Sequence, residues 1–252
     1  RFSISSLNYL VIALVCLTIF GIVVGLISRI SKPSVLYVLG LSLLLHTSLL
    51  SNFPVEWADI SFEYWVSRQT LLNGYWDYSY PDAVNAMASI GVLIPVMSVI
   101  TQLNLTLVFK FLTPFLFALV PVGVYEITKN RMSSTVSFLS ATLVLTSSVF
   151  FTEMLGLVRQ QIAELLLIGV FLILIDTSIK KCNKILFILL IFPAITMSHY
   201  TILALILLIS IICILILYLE KIFIFYKALY DLERLRENLN LWTIGLLVLG
   251  AS

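Results

Sequence analysis

The sequence predicts an all-α, polytopic transmembrane helical bundle. Hydrophobic residues occupy 61% of the 252 positions, charged residues only 11%, and the mean hydropathy is +1.10. A soluble domain of this length cannot bury so much apolar surface, whereas lipid can surround it. The apolar residues are also gathered into runs, most of them long enough to cross the ~30 Å hydrocarbon layer of a bilayer. A bundle of membrane-spanning helices accounts for all of these observations.

The apolar runs follow one another along almost the whole chain. They lie at about 8–28, 34–50, 106–127, 134–152, 161–179, 185–199 and 200–219. A further run begins near residue 241. Because the chain starts at Arg1 and stops inside that run, we expect it to be part of a longer protein. No disulfide framework, Cys/His metal spacing or nucleotide-binding motif is present, and no nucleic-acid partner is expected.

Basic residues predict how the chain is threaded through the membrane. They cluster after the runs at 8–28, 106–127, 161–179 and 200–219. The positive-inside rule places all four clusters in the cytoplasm only if the weaker apolar stretch at 85–102 does not cross. We therefore predict that 85–102 lies at the outer interface or dips in and returns. The chain is then one transmembrane domain, 1–252, of a multi-pass cell-membrane protein. Its extracytoplasmic loop is 51–105, and a cytoplasmic amphipathic linker occupies 220–240.

An acidic loop among these apolar runs is the strongest functional signal, because carboxylates beside a bilayer are costly. Between Ser51 and Asn85 the loop gathers five carboxylates and three tryptophans: Glu56, Asp59, Glu63, Asp77, Asp82, Trp57, Trp65 and Trp76. If 57–65 is helical, Asp59 and Glu63 share one face and repel each other. One could act as a general base toward an acceptor hydroxyl, while the other orients it or holds a divalent metal. The alternative is an ordinary solvated face of an interfacial helix.

A second candidate group opens the run at 161–179. Its members, at the predicted outer end of that run, are Arg159, Gln160, Gln161 and Glu164. The planar guanidinium donates two parallel hydrogen bonds, which suits a phosphate group. The alternative is an interfacial arginine paired with Glu153 or Glu164.

The remaining candidates lie at turns on the predicted outer side. His199 and Tyr200 separate two apolar runs, where an imidazole could bind a phosphate, act as an acid or bond to a neighbour. Asn104 opens the sequon Asn104-Leu-Thr106 and could carry a glycan. It could equally cap a helix, which we favour.

Taken together, the layout resembles the membrane glycosyltransferases of the GT-C type. In that superfamily an acidic outer loop precedes a proline-containing juxtamembrane helix, a spanning helix, an outer turn bearing arginine and a short hairpin with a basic residue. Here the matching residues are Asp59 and Glu63, the stretch 85–102 with Pro95, Arg159, and His199. The stretches NAMASIGVLIP, LVRQQIAE and SHY look closest to an archaeal branch of predicted membrane proteins of unknown function. The chain differs in its extra first helix, in His199 where many relatives carry Lys, and in lacking a DxD motif.

The resemblance implies transfer of a sugar from a polyprenyl-phosphate donor to an acceptor on the outer face of the membrane. Asp59 would be the base or the metal ligand, with Glu63 supporting it. Arg159 and His199, with the neighbouring Gln160 and Tyr200, would bind the lipid phosphate as its negative charge grows. A divalent cation, Mg or Mn, is the only cofactor implied. Membrane lipids and the sugar donor are the expected partners.

Two other functions fit parts of the pattern. A non-catalytic structural or assembly subunit of a membrane or cell-surface complex would keep the same scaffold. It would tie Asp59 and Glu63 into internal salt bridges, for example to Arg68. A transporter would need ionisable residues near the bilayer midplane, and the inner halves of the apolar runs offer few.

Overall fold

Helices make up all the regular structure that can be described. The computed structural model describes residues 4–27, 30–50 and 58–249, and no β-strand occurs within these ranges. The α-helices are α1 (Ile4–Ile27), α2 (Lys32–Leu50), α3 (Ala58–Asn73), α4 (Ile94–Thr101), α5 (Leu105–Leu107), α6 (Thr113–Phe117), α7 (Leu119–Lys129), α8 (Ser134–Thr146), α9 (Ser148–Phe151), α10 (Val158–Ile175), α11 (Lys181–Ser198) and α12 (Tyr200–Leu249). Shorter π-helical and 3₁₀ segments are Ser89–Leu93, Val108–Leu112 and Glu153–Gly156.

Several helices have the length and composition of membrane spans. Among the described residues, four qualify: Leu105–Lys129, Val158–Ile175, Lys181–Ser198 and Tyr200–Ile224. They cover four of the predicted apolar runs, as a multi-pass membrane protein requires. The all-α class is confirmed for the described ranges. Helices α1 and α2 lie over the predicted runs at 8–28 and 34–50 but are not among these four.

The predicted run at 134–152 is broken rather than straight. Helix α8 ends at Thr146, and the helical segment Ser148–Gly156 continues at an angle of 58°. Ser147 between them has extended backbone, with ψ of 131°. Serine and threonine side chains compete for backbone hydrogen bonds and often end or bend helices, which accounts for a break within Thr146-Ser147-Ser148.

The stretch predicted not to cross is short. Its helix, Ser89–Thr101, is apolar but falls below the ~20 residues that a span needs. It ends at Gln102, whose left-handed backbone (φ 58°) stops the helix. Asn104 then caps α5, its Oδ1 accepting a hydrogen bond from Leu107 N at 2.8 Å. The helix-cap interpretation of Asn104 is therefore confirmed.

The chain divides into two compact units, Arg1–Leu203 and Ala204–Ser252. The first contains α1 to α11 and every candidate site residue. The second is the remainder of α12. The linker predicted at 220–240 is part of that helix, which continues without a break from the run at 200–219.

Two apolar clusters form the core of the first unit. The larger one joins α2, α7 and α8 through residues that include Leu36, Leu44, Phe138 and Leu145. The second holds α3 and the Ser89–Thr101 helix against the start of α10. Its fully buried members are Ile60, Ile90, Ile94, Val108 and Val158. This second cluster places α3 across the N-terminus of α10, which is where the candidate site lies.

A close helix contact in this unit gives a direct test of the packing. A Cβ added at Gly123 of α7 would overlap Ile168 Cγ2 of α10, whereas one added at Gly169 would meet nothing within 4 Å. We expect Gly123→Ala to destabilise the protein by ~1–3 kcal/mol through overpacking. Gly169→Ala removes a flexible residue from a helix interior and should stabilise by ~0.5–1 kcal/mol. Thermal unfolding in detergent measures both, and equal shifts of the same sign would contradict the packing.

Candidate functional site

The site is built on two helices that lie nearly a hundred residues apart in sequence and contact each other in the fold. Helix α3 carries Asp59 and Glu63 one turn apart, as predicted, so both face the N-terminus of α10. The Glu63 side chain is completely buried, and its Oε2 accepts a hydrogen bond from Val158 N at 2.9 Å. The first N–H groups of a helix have no partner within the helix and carry partial positive charge. A carboxyl group from α3 therefore serves as the cap of α10.

Arg159 connects the two carboxyl groups. Its Nη2 donates to Asp59 Oδ2 at 2.9 Å, and its Nε lies 3.4 Å from Glu63 Oε1. The arginine side chain is 13% exposed, while that of Asp59 is 57% exposed. The two carboxyl groups therefore share one cation from another helix. That cation is Arg159, not Arg68, the partner suggested by the sequence.

The protonation state of Glu63 follows from its burial. Burial raises the pKa of Glu63 to about 8, because a charged carboxylate loses its hydration there. The Arg159 charge and the backbone N–H groups of Val158 and Arg159 act in the opposite direction. Burial is the larger effect, so Glu63 is mostly protonated near neutral pH. Asp59 is then the anionic partner of Arg159.

His199 lies within electrostatic reach of the same arginine. It follows the last residue of α11 in extended backbone, with φ of −157°, and its ring stacks on Tyr200 at 6.0 Å. Burial, and then the positive charge of Arg159, lower the pKa of His199, so its imidazole is neutral near pH 7. Its Nδ1 is buried and has no hydrogen-bond partner among the described residues. A neutral imidazole can donate or accept a hydrogen bond here but adds no charge.

The other predicted residues are placed less directly. The Gln160 amide donates to Glu164 Oε1 at 2.9 Å, within α10. Tyr200 is 59% exposed and touches the group through His199. Glu56 and Trp57, which belong to the predicted acidic loop, lie outside the described residues.

Gln161, a member of the second candidate group, is almost fully buried. It is 2% exposed, its Nε2 donates to Met154 O at 2.6 Å, and its Oε1 has no partner among the described residues. It lines an apolar cavity of about 150 Å³ together with Leu93, Met97, Thr113, Leu116, Phe117, Ile162, Leu165 and Leu166. Its position beside Arg159 and Gln160, at the start of an apolar run, was the signal in the sequence.

The residues around Asp59 do not make a good site for Mg²⁺ or Mn²⁺. Such ions take several oxygen ligands, commonly from carboxylates and water. Here Arg159 contacts both carboxyl groups, and Glu63 is occupied by the N–H groups of α10. In the described part of the chain, no group of three or more His, Cys, Asp and Glu side chains converges.

Comparisons of the chain with protein-family models, with curated proteins and with solved structures found no match. The function must therefore be argued from the residues of the site themselves.

The raised pKa of Glu63 predicts how stability depends on pH. An unfolded chain ionises this carboxyl near pH 4.5, whereas the folded protein keeps its proton until about pH 8. The folded state therefore binds more protons in that interval, and its contribution to stability falls as the pH rises through it. In Glu63→Gln this loss should disappear, while the amide oxygen can still accept from Val158 N.

Thermal midpoints of both proteins between pH 4.5 and 9 measure this difference. His199 and the other titratable groups are present in both proteins, so the difference between the two curves reports Glu63. Parallel curves for the wild type and Glu63→Gln would show that Glu63 is ionised in the folded protein at neutral pH.

Proposed function

We propose that this chain is a membrane glycosyltransferase that moves a sugar from a polyprenyl-phosphate donor to an acceptor on the outer face of the membrane. The observation that carries the proposal is an exposed carboxylate, Asp59, held at 2.9 Å by a largely buried arginine. Transfer of a sugar to a hydroxyl group, with phosphate as the leaving group, needs a base for the hydroxyl proton and a cation for the phosphate. Asp59 and Arg159 form such a pair. Apolar helices of spanning length around it would keep a polyprenyl chain in lipid.

In the proposed reaction the acceptor hydroxyl oxygen attacks the anomeric carbon of the donor sugar. Asp59 takes the hydroxyl proton as the new bond forms. The bond from the anomeric carbon to the phosphate oxygen breaks, and its electron pair leaves with the polyprenyl phosphate. Negative charge therefore moves from Asp59 to the departing phosphate during the reaction.

Arg159 is suited to follow that movement of charge. Its Nη2 binds Asp59, while its Nη1 makes no hydrogen bond to a described residue and can donate to a phosphate. As Asp59 becomes protonated, its ion pair with the guanidinium weakens. The positive charge of Arg159 is then available to stabilise the phosphate. Glu63 contributes by fixing Arg159 and the first turn of α10 rather than by touching the reacting atoms.

His199 complements this arrangement without adding charge. Its neutral imidazole can hydrogen-bond a phosphate oxygen, and the exposed Tyr200 hydroxyl lies beside it in sequence. Gln160 is a weaker candidate for phosphate contact, because its amide is already bonded to Glu164.

Replacing the proposed base tests this function most simply. Transfer of labelled sugar from mannosyl- and glucosyl-phosphopolyprenols can be followed in membranes that contain the full chain. We expect Asp59→Asn to lose ~10²–10⁴-fold in rate, the range for a general base, at unchanged expression. Glu153→Gln, at another exposed carboxylate, is the matched control and should keep full activity. Wild-type rates in Asp59→Asn would remove the centre of the proposal.

A non-catalytic scaffold is the second candidate, and one observation favours it. The charge of Arg159 is already matched inside the protein, as that function requires.

Binding of a lipid phosphate separates the two candidates without an activity assay. If Arg159 receives phosphate, a polyprenyl monophosphate should raise the thermal midpoint of the wild type, because it binds only the folded state. The matching polyprenol without phosphate should not. The shift should be lost in Arg159→Gln and kept in Arg131→Gln, a change at an exposed arginine elsewhere. Equal effects of the phosphate and the alcohol on the wild type would favour the scaffold.

A further inference from the structure

A small cavity lies beside α3, and its lining does not include Asp59, Glu63, Arg159 or His199. Its volume is about 150 Å³, enough for several water molecules and of the scale of a single sugar ring. One wall is the face of α3 that carries Trp65, Gln69 and Asn73, which are spaced four residues apart. The other wall is the loop that follows α3. The lining residues are Trp65, Val66, Gln69, Thr70, Asn73, Asp77, Tyr80 and Asn85.

Two aromatic rings flank this cavity. The Trp65 and Tyr80 centroids are 5.5 Å apart and tilted by 56°, and Phe62 stacks on Trp65 at 5.5 Å. Trp65 is 40% exposed and Tyr80 is 50% exposed, so both side chains are accessible to a ligand. The negative face of an aromatic ring attracts weakly positive C–H groups, which line the faces of a pyranose.

The polar lining is mostly neutral and has unused hydrogen-bonding capacity. The side-chain amides of Gln69 and Asn73 make no hydrogen bond with any residue that the structure describes. An amide both donates and accepts, as a sugar hydroxyl does. None of the eight lining residues is Lys, Arg or His, and Asp77 is a carboxylate, so the cavity disfavours phosphate and other anions.

The loop that closes the cavity is held in one conformation by its own hydrogen bonds. Buried Asn85 donates to Asp77 O at 2.8 Å and to Tyr80 O at 3.0 Å, and it accepts from Trp76 Nε1 at 3.2 Å. Trp76 in turn packs on Gly91, where an added Cβ would overlap the indole. Asp77 is fixed by the hydroxyl of Ser79 at 2.6 Å. The cavity wall is therefore formed before any ligand arrives, which limits the entropy lost on binding.

Helix geometry sets the distance from this cavity to the proposed base. Trp65 follows Asp59 by six residues on α3, which corresponds to ~9 Å along the helix axis. Because each residue turns an α-helix by about 100°, the two side chains point about 120° apart around the axis. A saccharide of several rings bound at Trp65 and Tyr80 would therefore reach Asp59 by passing around α3 as well as along it.

We propose that the cavity of Trp65, Gln69, Asn73 and Tyr80 binds a neutral sugar ring of the acceptor, so that the acceptor of the proposed transfer is a glycan. The identification of this sugar as the acceptor rests on the proposed function. The sugar-binding property itself does not, because it depends on other residues.

Saturation-transfer NMR on the full chain in nanodiscs tests the binding directly. The probes are the methyl glycosides of glucose, galactose, mannose and N-acetylglucosamine. We expect at least one to receive saturation from the protein through its C–H protons. Trp65→Ala and Tyr80→Ala should each weaken that binding about three- to tenfold, the effect of losing one aromatic contact. Tyr75→Ala is the matched control, because Tyr75 is an exposed aromatic of the same loop that does not line the cavity.

Further variants keep the result interpretable. Gln69→Leu leaves the aromatic walls in place and should also weaken binding, even if Trp65→Ala fails to fold. Asp59→Asn should bind the glycoside normally, so loss of transfer with retained binding would separate the base from the cavity. Absence of binding for all four glycosides, or an equal loss in Tyr75→Ala, would overturn the proposal and leave these aromatics as membrane-interface anchors. Transfer to a non-glycan acceptor with retained glycoside binding would overturn its acceptor assignment alone.

Discussion

The contact of Arg159 with Glu63 and Asp59 is the interaction on which the rest of the site depends. It joins α3 to the first turn of α10, and it does so at the point where a helix has unpaired N–H groups. Glu63 accepts a hydrogen bond from one of these donors inside the protein. Asp59 lies at the surface, where Arg159 donates to it. Burial lowers the pKa of His199, and the positive charge of Arg159, which this contact places within reach, lowers it further.

This arrangement is not an efficient way to stabilise a helix bundle. A buried ion pair often contributes no more to stability than apolar side chains of similar size, because both groups lose their hydration. Here the burial is unequal, since Glu63 is fully enclosed and Asp59 is mostly exposed. The buried carboxyl positions the arginine and the exposed carboxylate remains accessible. A functional surface explains that division better than stability does.

Local sequence patterns predicted the all-α class and the shared helix face of Asp59 and Glu63. Hydrophobic runs located the apolar helices, the spacing of Asp59 and Glu63 placed them on one face, and Asn104 was identified as a cap. These features depend on residues within a few positions of each other. The partner of the two carboxyl groups could not be found this way, because Arg159 lies 100 residues from Asp59 in the chain.

Other features depended on tertiary structure for different reasons. The raised pKa of Glu63 comes from burial, which a polar-looking loop sequence does not indicate. The bend after Thr146 lies in a run that is apolar on both sides of it, so hydropathy alone merges the two segments. The cavity beside α3 had a partial signal, the spacing of Trp65, Gln69 and Asn73. Its second wall depends on the hydrogen bonds of Asn85, which only the folded loop reveals.

The proton on Glu63 is the most direct measure of whether this contact is as described. Infrared spectroscopy of the purified protein detects the carbonyl band of a protonated carboxyl group, and Glu63→Gln identifies which band belongs to this residue. The account predicts a band that is present at pH 6, lost as the pH rises through about 8, and missing from the variant. If no band at pH 6 depends on Glu63, the residue is ionised and two carboxylates pair with Arg159. The site then cannot offer the charge of Arg159 to a phosphate.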